Sequence, residues 1–199
     1  MAGAFPISSA KIESLGIKSI QNTIISKTVS GKKLARQIDG QRWGFTARII
    51  TAKRSDVYGE LMAFIVKQRS GKENFTIIPP EVEDARGTAS GTPNGTASAG
   101  ATSITLGGTG TGTLKAGDFI KFANHDKVYM VVADQSDIST GSLTIEPPLT
   151  TAVSSSDITY DNVPFTVHLT NDIQEFGVVG ADKDGNALYQ FEFDVEESL

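Results

Sequence analysis

Alternating apolar and polar residues dominate this chain and predict β-strands. The alternation is clearest from Trp43 to Ile49, where every second residue is apolar and the residues between are polar or glycine. Successive side chains of a strand point to opposite faces, so this period of two predicts a strand with one buried face. Similar alternation at residues 165–169 and 188–195 predicts further strands near the C-terminus.

One segment has convincing helical spacing instead. Apolar residues between Val57 and Ile65 recur three and four positions apart, which is typical of an amphipathic helix. Ser55 is a favourable N-terminal capping residue, and Gly71 is well placed to end the helix. The pattern therefore predicts a single helix over residues 56–69.

The middle of the chain has a different composition. Residues 86–114 contain eight glycines and eight threonines, a stretch that is either loosely ordered or a set of short hairpins. Apolar runs at 119–122, 128–132 and 143–145 then predict short strands separated by polar loops. Short strands at this spacing are typical of a small barrel or sandwich.

The two ends of the chain share a style that the middle lacks, which indicates one domain interrupted by another. We therefore expect a discontinuous domain formed by residues 1–84 and 162–199. Residues 85–161 would form a second, inserted β domain. The expected fold class is mainly β with one helix.

Composition narrows the chemistry that the chain can perform. Cysteine is absent, which excludes disulfides, thiolate zinc sites and cysteine nucleophiles. The only histidines are His125 and His168, so a multi-histidine metal site is excluded as well. No apolar run reaches the length of a membrane-spanning helix, and the N-terminus lacks the features of a secretory signal. The chemistry available to the chain is therefore narrow, no cofactor is expected, and we expect synthesis and assembly in a cytoplasm.

Three motifs imitate functional sites, and each is better explained as strand and turn structure. The glycine-rich stretch 108–114 resembles a phosphate-binding loop, but a β segment rather than a helix follows it. Residues 182–186 imitate the start of a calcium loop without its glycine and its final glutamate. His125 and Asp126 are adjacent, so their side chains are expected to point apart, and no nucleophile elbow accompanies them.

Charge is distributed unevenly along the chain. Residues 27–72 carry eleven Lys or Arg against three acidic residues, a balance of +8, and the total of -5 leaves -13 for the rest. This asymmetry fits either scattered solvated charges or copies that attract one another. Trp43 and Phe45 lie on the expected core face, so core packing is favoured over nucleic-acid stacking. Arg42 and Arg48, on the other face of the same strand, are our predicted subunit-interface residues.

Three segments resemble the distal tail proteins of siphophages. The first is Gln41-Arg-Trp-Gly-Phe, a strand that leads into a helix and then into Ile77-Ile-Pro. The second is residues 114–129, similar to an "LKAGD…H-x-KVY" segment in an inserted oligonucleotide/oligosaccharide-binding-like barrel of that family. The third is the closing strand, residues 191–199. These segments occur in the family's order and span nearly the whole chain.

The resemblance implies a β-sandwich-like ring domain interrupted by that small barrel. It also implies a structural virion protein of the tail tip, in which a homohexameric ring joins the tail tube to the receptor-binding hub and to fibres. No catalysis is implied. The alternative is an adhesion module whose barrel binds carbohydrate or a fibre protein. Direct nucleic-acid binding is not expected, because acidic residues outnumber lysines in the insert and would repel phosphates.

Overall fold

The computed structural model describes residues 3–8, 11–38 and 40–199, and the predicted fold class, mainly β with one α-helix and a small barrel, is confirmed. The strands are β1 (Ile12–Ile20), β2 (Thr23–Lys27), β3 (Lys33–Gln37), β4 (Arg42–Lys53), β5 (Phe75–Ile77), β6 (Pro93–Ala97), β7 (Ser103–Gly108), β8 (Phe119–Phe122), β9 (Val128–Val131), β10 (Ser142–Glu146), β11 (Val153–Thr159), β12 (Phe165–Leu169), β13 (Gly177–Ala181) and β14 (Ala187–Glu197). The α-helix of this part of the chain is α1 (Gly59–Lys67).

The first sheet is built around two long strands from opposite ends of the sequence. Its order is β1-β4-β14-β12-β5, with β13 beside β14. β4 and β14 are antiparallel, and Phe45 lies opposite Val195 while Ala47 lies opposite Phe193. All four of these side chains are buried. The apolar residues of the alternation predicted from residue 43 onward therefore form part of the inner face of this sheet.

Helix α1 covers that inner face with Leu61 and Ile65, both buried. It begins later than predicted, because a wider helical turn, Arg54–Tyr58, precedes it. Ser55 does not cap the helix, since its hydroxyl bonds the carboxylate of Asp56 at 2.9 Å. At the other end, Arg69 and Ser70 rather than Gly71 adopt the left-handed conformation that ends the helix.

The second unit is a closed barrel of six strands in the order β10-β7-β6-β11-β8-β9. Its interior is a separate hydrophobic cluster that includes Ile104, Ile120, Phe122, Tyr129 and Ile145, each with no exposed surface. Because a closed barrel has no edge strands, it needs no further pairing along its sides.

The Gly/Thr-rich segment is ordered as a two-stranded ribbon that extends the β6–β7 hairpin. Backbone N–H groups of Thr88 and Ser90 donate to the carbonyls of Thr113 and Thr111, at 3.0 and 2.9 Å. The facing hydroxyls also bond across the ribbon, at 3.3 Å for the first pair and 3.1 Å for the second. A Cβ on Gly112 would lie 2.1 Å from the Thr88 carbonyl oxygen, so this close approach requires glycine. Of the two predicted alternatives, the hairpin is the one observed.

The chain enters and leaves the barrel side by side. The Asn162 amide donates to the carbonyl of Glu83 at 2.7 Å, and the Ala85 amide donates to the carboxylate of Asp161 at 2.8 Å. Both crossings are therefore held together at one end of the barrel.

A hairpin formed by β2 and β3 stands apart from both units. The two strands pair with each other alone, and every residue in them is exposed. The sequence analysis identified the positive charge of this region but not the pairing of its two strands, and Asp39, which follows the hairpin, lies outside the described residues.

Candidate assembly surface

A buried ion pair fastens the barrel to the sheet. Lys127, just before β9, bonds Glu197 at the end of β14, and their side chains are 2% and 0% exposed. The Lys127 ammonium also donates to Gln41 Oε1 at 2.8 Å. The Glu197 carboxylate accepts from the amides of Val128 (2.8 Å) and Trp43 (3.1 Å). Each charged group thus has several partners, which buried charges require.

Burial shifts the titration of this pair. It raises the pKa of Glu197 and lowers the pKa of Lys127, because water no longer solvates their charged forms. Their mutual attraction opposes both shifts. The pair therefore depends on both partners being present, and loss of one would leave the other charge buried alone.

Aromatic side chains continue the same contact. The Trp43 indole N–H donates to the Val128 carbonyl at 2.9 Å, and its ring meets Phe119 of the barrel edge-on, with centroids 5.1 Å apart. Phe119 in turn packs on Phe165 of β12 at 5.8 Å, and Phe165 packs on Phe45 at 5.8 Å. We call these polar and aromatic contacts the junction, and they hold the barrel in one orientation on the sheet.

Residues 83–163 match the family model described as distal tail protein pb9, B domain. This segment is similar to a distal tail protein B domain, and we call residues 83–163 the B domain for that reason. The match includes all six barrel strands, confirms the resemblance drawn from the sequence and supports a structural protein of the phage tail. A comparison with the curated proteins finds no match.

Outside the B domain, Arg42 and Arg48 lie on the outer face of the sheet. Arg42 bonds Glu196 at 3.0 Å, and Arg48 bonds Glu192 through two guanidinium nitrogens at 2.8 and 3.0 Å. Lys18 lies 3.8 Å from Asp194 on the same face. β1, β4 and β14 thus carry a ladder of paired charges. That Arg42 and Arg48 contact a neighbouring subunit stays a prediction.

The pair of Arg48 and Glu192 should contribute little to the stability of the isolated chain. Arg48 and Glu192 are 45% and 50% exposed, so water screens their attraction. In a double-mutant cycle of Arg48→Ala and Glu192→Ala, we expect a coupling energy of at most about 1 kcal/mol in urea unfolding. A coupling of several kcal/mol would contradict this description of the pair.

Within the B domain, His125 and Asp126 point to different partners, as expected. The His125 Nε2 lies 2.8 Å from the Tyr129 hydroxyl, whereas Asp126 forms an ion pair with Lys121 at 2.8 Å. Burial lowers the pKa of His125, and the hydrogen bond from Lys121 lowers the pKa of Asp126. Neither residue orients the other, and the half-buried His168 lies on β12, in the other unit.

The segment that imitates a calcium loop is a turn between β13 and β14. The Asp182 carboxylate accepts from the amides of Asp184 and Asn186, both at 2.8 Å, and pairs with Lys53. These donors, Lys53 first, hold the pKa of Asp182 well below its usual range. Across the described ranges, no group of three or more acidic or histidine residues could hold a metal ion.

Sequence reasoning missed the pair of Lys127 and Glu197. Both residues lie in segments that resemble the distal tail family, but they are 70 positions apart. In the sequence, Glu197 is simply one of several acidic residues near the C-terminus. The only signal was that Lys127 directly precedes one strongly apolar strand and Glu197 ends another. Such a signal does not identify the partner of either residue.

Proposed function

We propose that this chain is the ring-forming subunit at the distal end of a phage tail. In this proposal six copies form a ring that joins the tail tube protein to hub or fibre proteins. The observation that carries it is the distal tail protein B domain, fixed to a second β unit by a fully partnered buried ion pair. A connector needs such fixed geometry, whereas no catalytic role is proposed.

We further propose that residues 1–84 and 162–199 form the ring domain and residues 85–161 an inserted domain. Two separate hydrophobic clusters support this division. The paired crossings near Glu83 and Asn162 support it as well, because a domain inserted into another should leave where it enters.

The proposed location is the tail tip of the virion, after assembly in the host cytoplasm. In the portion of the chain that the structure describes, no helix has the length and apolar character to span a bilayer. Binding of nucleic acid is not part of the proposal, since the B domain carries more acidic than basic residues.

The alternative, a carbohydrate-binding adhesion module, has weaker support. Sugar sites present exposed aromatic rings for stacking. The four aromatic residues of the insert instead face inward or into the junction: Phe122 and Tyr129 are fully buried, Tyr160 is 9% exposed and Phe119 packs on Trp43. A fibre protein remains a proposed partner of the assembled ring.

Native mass measurement and labelled virions test the proposal together. We expect an assembly of six times 21.1 kDa and antibody label at the far end of the tail. If the purified protein is a monomer but the antibody labels the tail tip, the subunits assemble only on a partner protein. Label elsewhere on the particle would contradict the proposal, and specific retention on a glycan array would favour the alternative.

A further inference from the structure

The β2–β3 hairpin carries much of the exposed apolar surface of the described residues. Ile24, Ile25 and Leu34 are 56%, 55% and 50% exposed, and Val29 at the tip is fully exposed. The pairing register places Ile24 and Leu34 on the same face. An isolated two-stranded hairpin is at best marginally stable in water, so apolar residues on it indicate a partner surface.

The hairpin is also uniformly basic. Residues 22–38 contain Lys27, Lys32, Lys33 and Arg36 and no acidic residue. A partner surface should therefore combine exposed apolar side chains with negative charge, because like charges across an interface are costly.

A second surface of the same chain has that combination. Ile173, Val178 and Val179 are 86%, 61% and 54% exposed, and Asp172 and Glu175 lie beside them in sequence. Val178 and Val179 belong to β13, which pairs with β14 on one side only. Unpaired backbone groups at the edge of a sheet accept a further strand readily. We call residues 172–181 the acidic edge.

The two surfaces lie toward opposite edges of the sheet. The hairpin directly follows β1, the outer strand next to β4, whereas β13 flanks β14 on the side away from β4. A chain with complementary patches on opposite sides binds copies of itself head to tail. Such contacts form a ring when the rotation between copies closes.

We propose that the β2–β3 hairpin of one copy docks on the acidic edge of a second copy of this chain. Ile24 and Leu34 pack against Val178 and Val179, and Arg36, which lies opposite Ile24 on the same face of the hairpin, faces Asp172 and Glu175. This inference rests on the proposed ring function and names the surfaces that form it.

The absence of cysteine makes a direct cross-linking test possible. One population carries Leu34→Cys and a second carries Val178→Cys, and equal amounts are mixed under mild oxidation. The matched control replaces the second chain with Val66→Cys, a valine on α1 that is 72% exposed. We expect the disulfide-linked heterodimer to form at least ~10-fold faster than in the control, since docked thiols have an effective concentration of order mM. Equal rates in the two mixtures would overturn the proposal.

Charge reversal provides a second measurement on the same pair of cysteine chains. Adding Glu175→Lys to the Val178→Cys chain should slow the cross-link, and adding Arg36→Glu to the other chain should restore part of the rate, since Arg36 shares the hairpin face of Leu34. Loss without any restoration would count against the charge pairing.

The cross-link and the ring can fail separately. A wild-type hexamer with no excess cross-link would overturn the docking and leave the ring function standing. An excess cross-link in chains that grow into open filaments or stop at dimers would support the docking and contradict the closed ring.

Discussion

Replacing Glu197 with alanine should destabilise the chain by about 3–5 kcal/mol, the cost typical of removing one partner of a buried ion pair. The Lys127 ammonium would then remain 2% exposed, with a hydrogen bond to Gln41 and the Trp43 ring 5.8 Å away. The amides of Val128 and Trp43 would also lose their acceptor. Trp43 is the only tryptophan, so its fluorescence during urea unfolding reports on the junction directly.

Two variants make this measurement specific. Glu192→Ala removes a half-exposed glutamate from the same strand and should cost less than about 1 kcal/mol. Replacing both charges, as in Lys127→Met with Glu197→Leu, should recover part of the lost stability, because no buried charge is then left alone while the two amides still lack their acceptor. If Glu197→Ala costs no more than Glu192→Ala, the junction does not depend on this pair.

Phe165→Ala should cost about 3–5 kcal/mol in the free energy of unfolding, as expected for a large aromatic removed from a packed core. Phe165 is fully buried on β12 and contacts Phe45 of the sheet and Phe119 of the B domain. The cavity would therefore open between the two units, where neither can collapse without moving the other. Calorimetry and Trp43 fluorescence should detect the same loss.

Phe165→Leu is the matched control, since it keeps most of the side-chain volume and should cost clearly less than the alanine variant. Similar losses for both variants would mean that the stability comes from contacts between the aromatic side chains rather than from filled volume. An unchanged unfolding midpoint for Phe165→Ala would show that the junction packing is not needed for the fold.

The parts of the fold with simple periodicity could be predicted from the sequence. The alternation from Trp43 to Ile49 has a repeat that only a strand satisfies, whereas the runs that became β8, β9 and β10 were recognised by their shortness and their flanking polar loops. The start of α1 was placed too early, because the turn at Arg54–Tyr58 has helical spacing without α-helical geometry. The β2–β3 hairpin was missed, since its strands bury no face and show no clear alternation.

The candidate surface was harder to predict than the fold. Arg42 and Arg48 were correctly placed on the outer face of a strand, but their partners on β14 are 154 and 144 residues away. The junction likewise joins Lys127 to a residue 70 positions later. The arginine pairs depend on which distant strands lie side by side, and the junction depends on how the two units are oriented. Hydrophobic patterning along one strand determines neither.

The ribbon of residues 88–113 has a consequence for how this sequence can change. Its hydroxyl pairs are exposed and its strands are held mainly by backbone hydrogen bonds. Serine and threonine should therefore be interchangeable along it, whereas Gly112 is fixed by the nearby Thr88 carbonyl. Substitutions of the outward side chains of this ribbon should accordingly leave its backbone path the same.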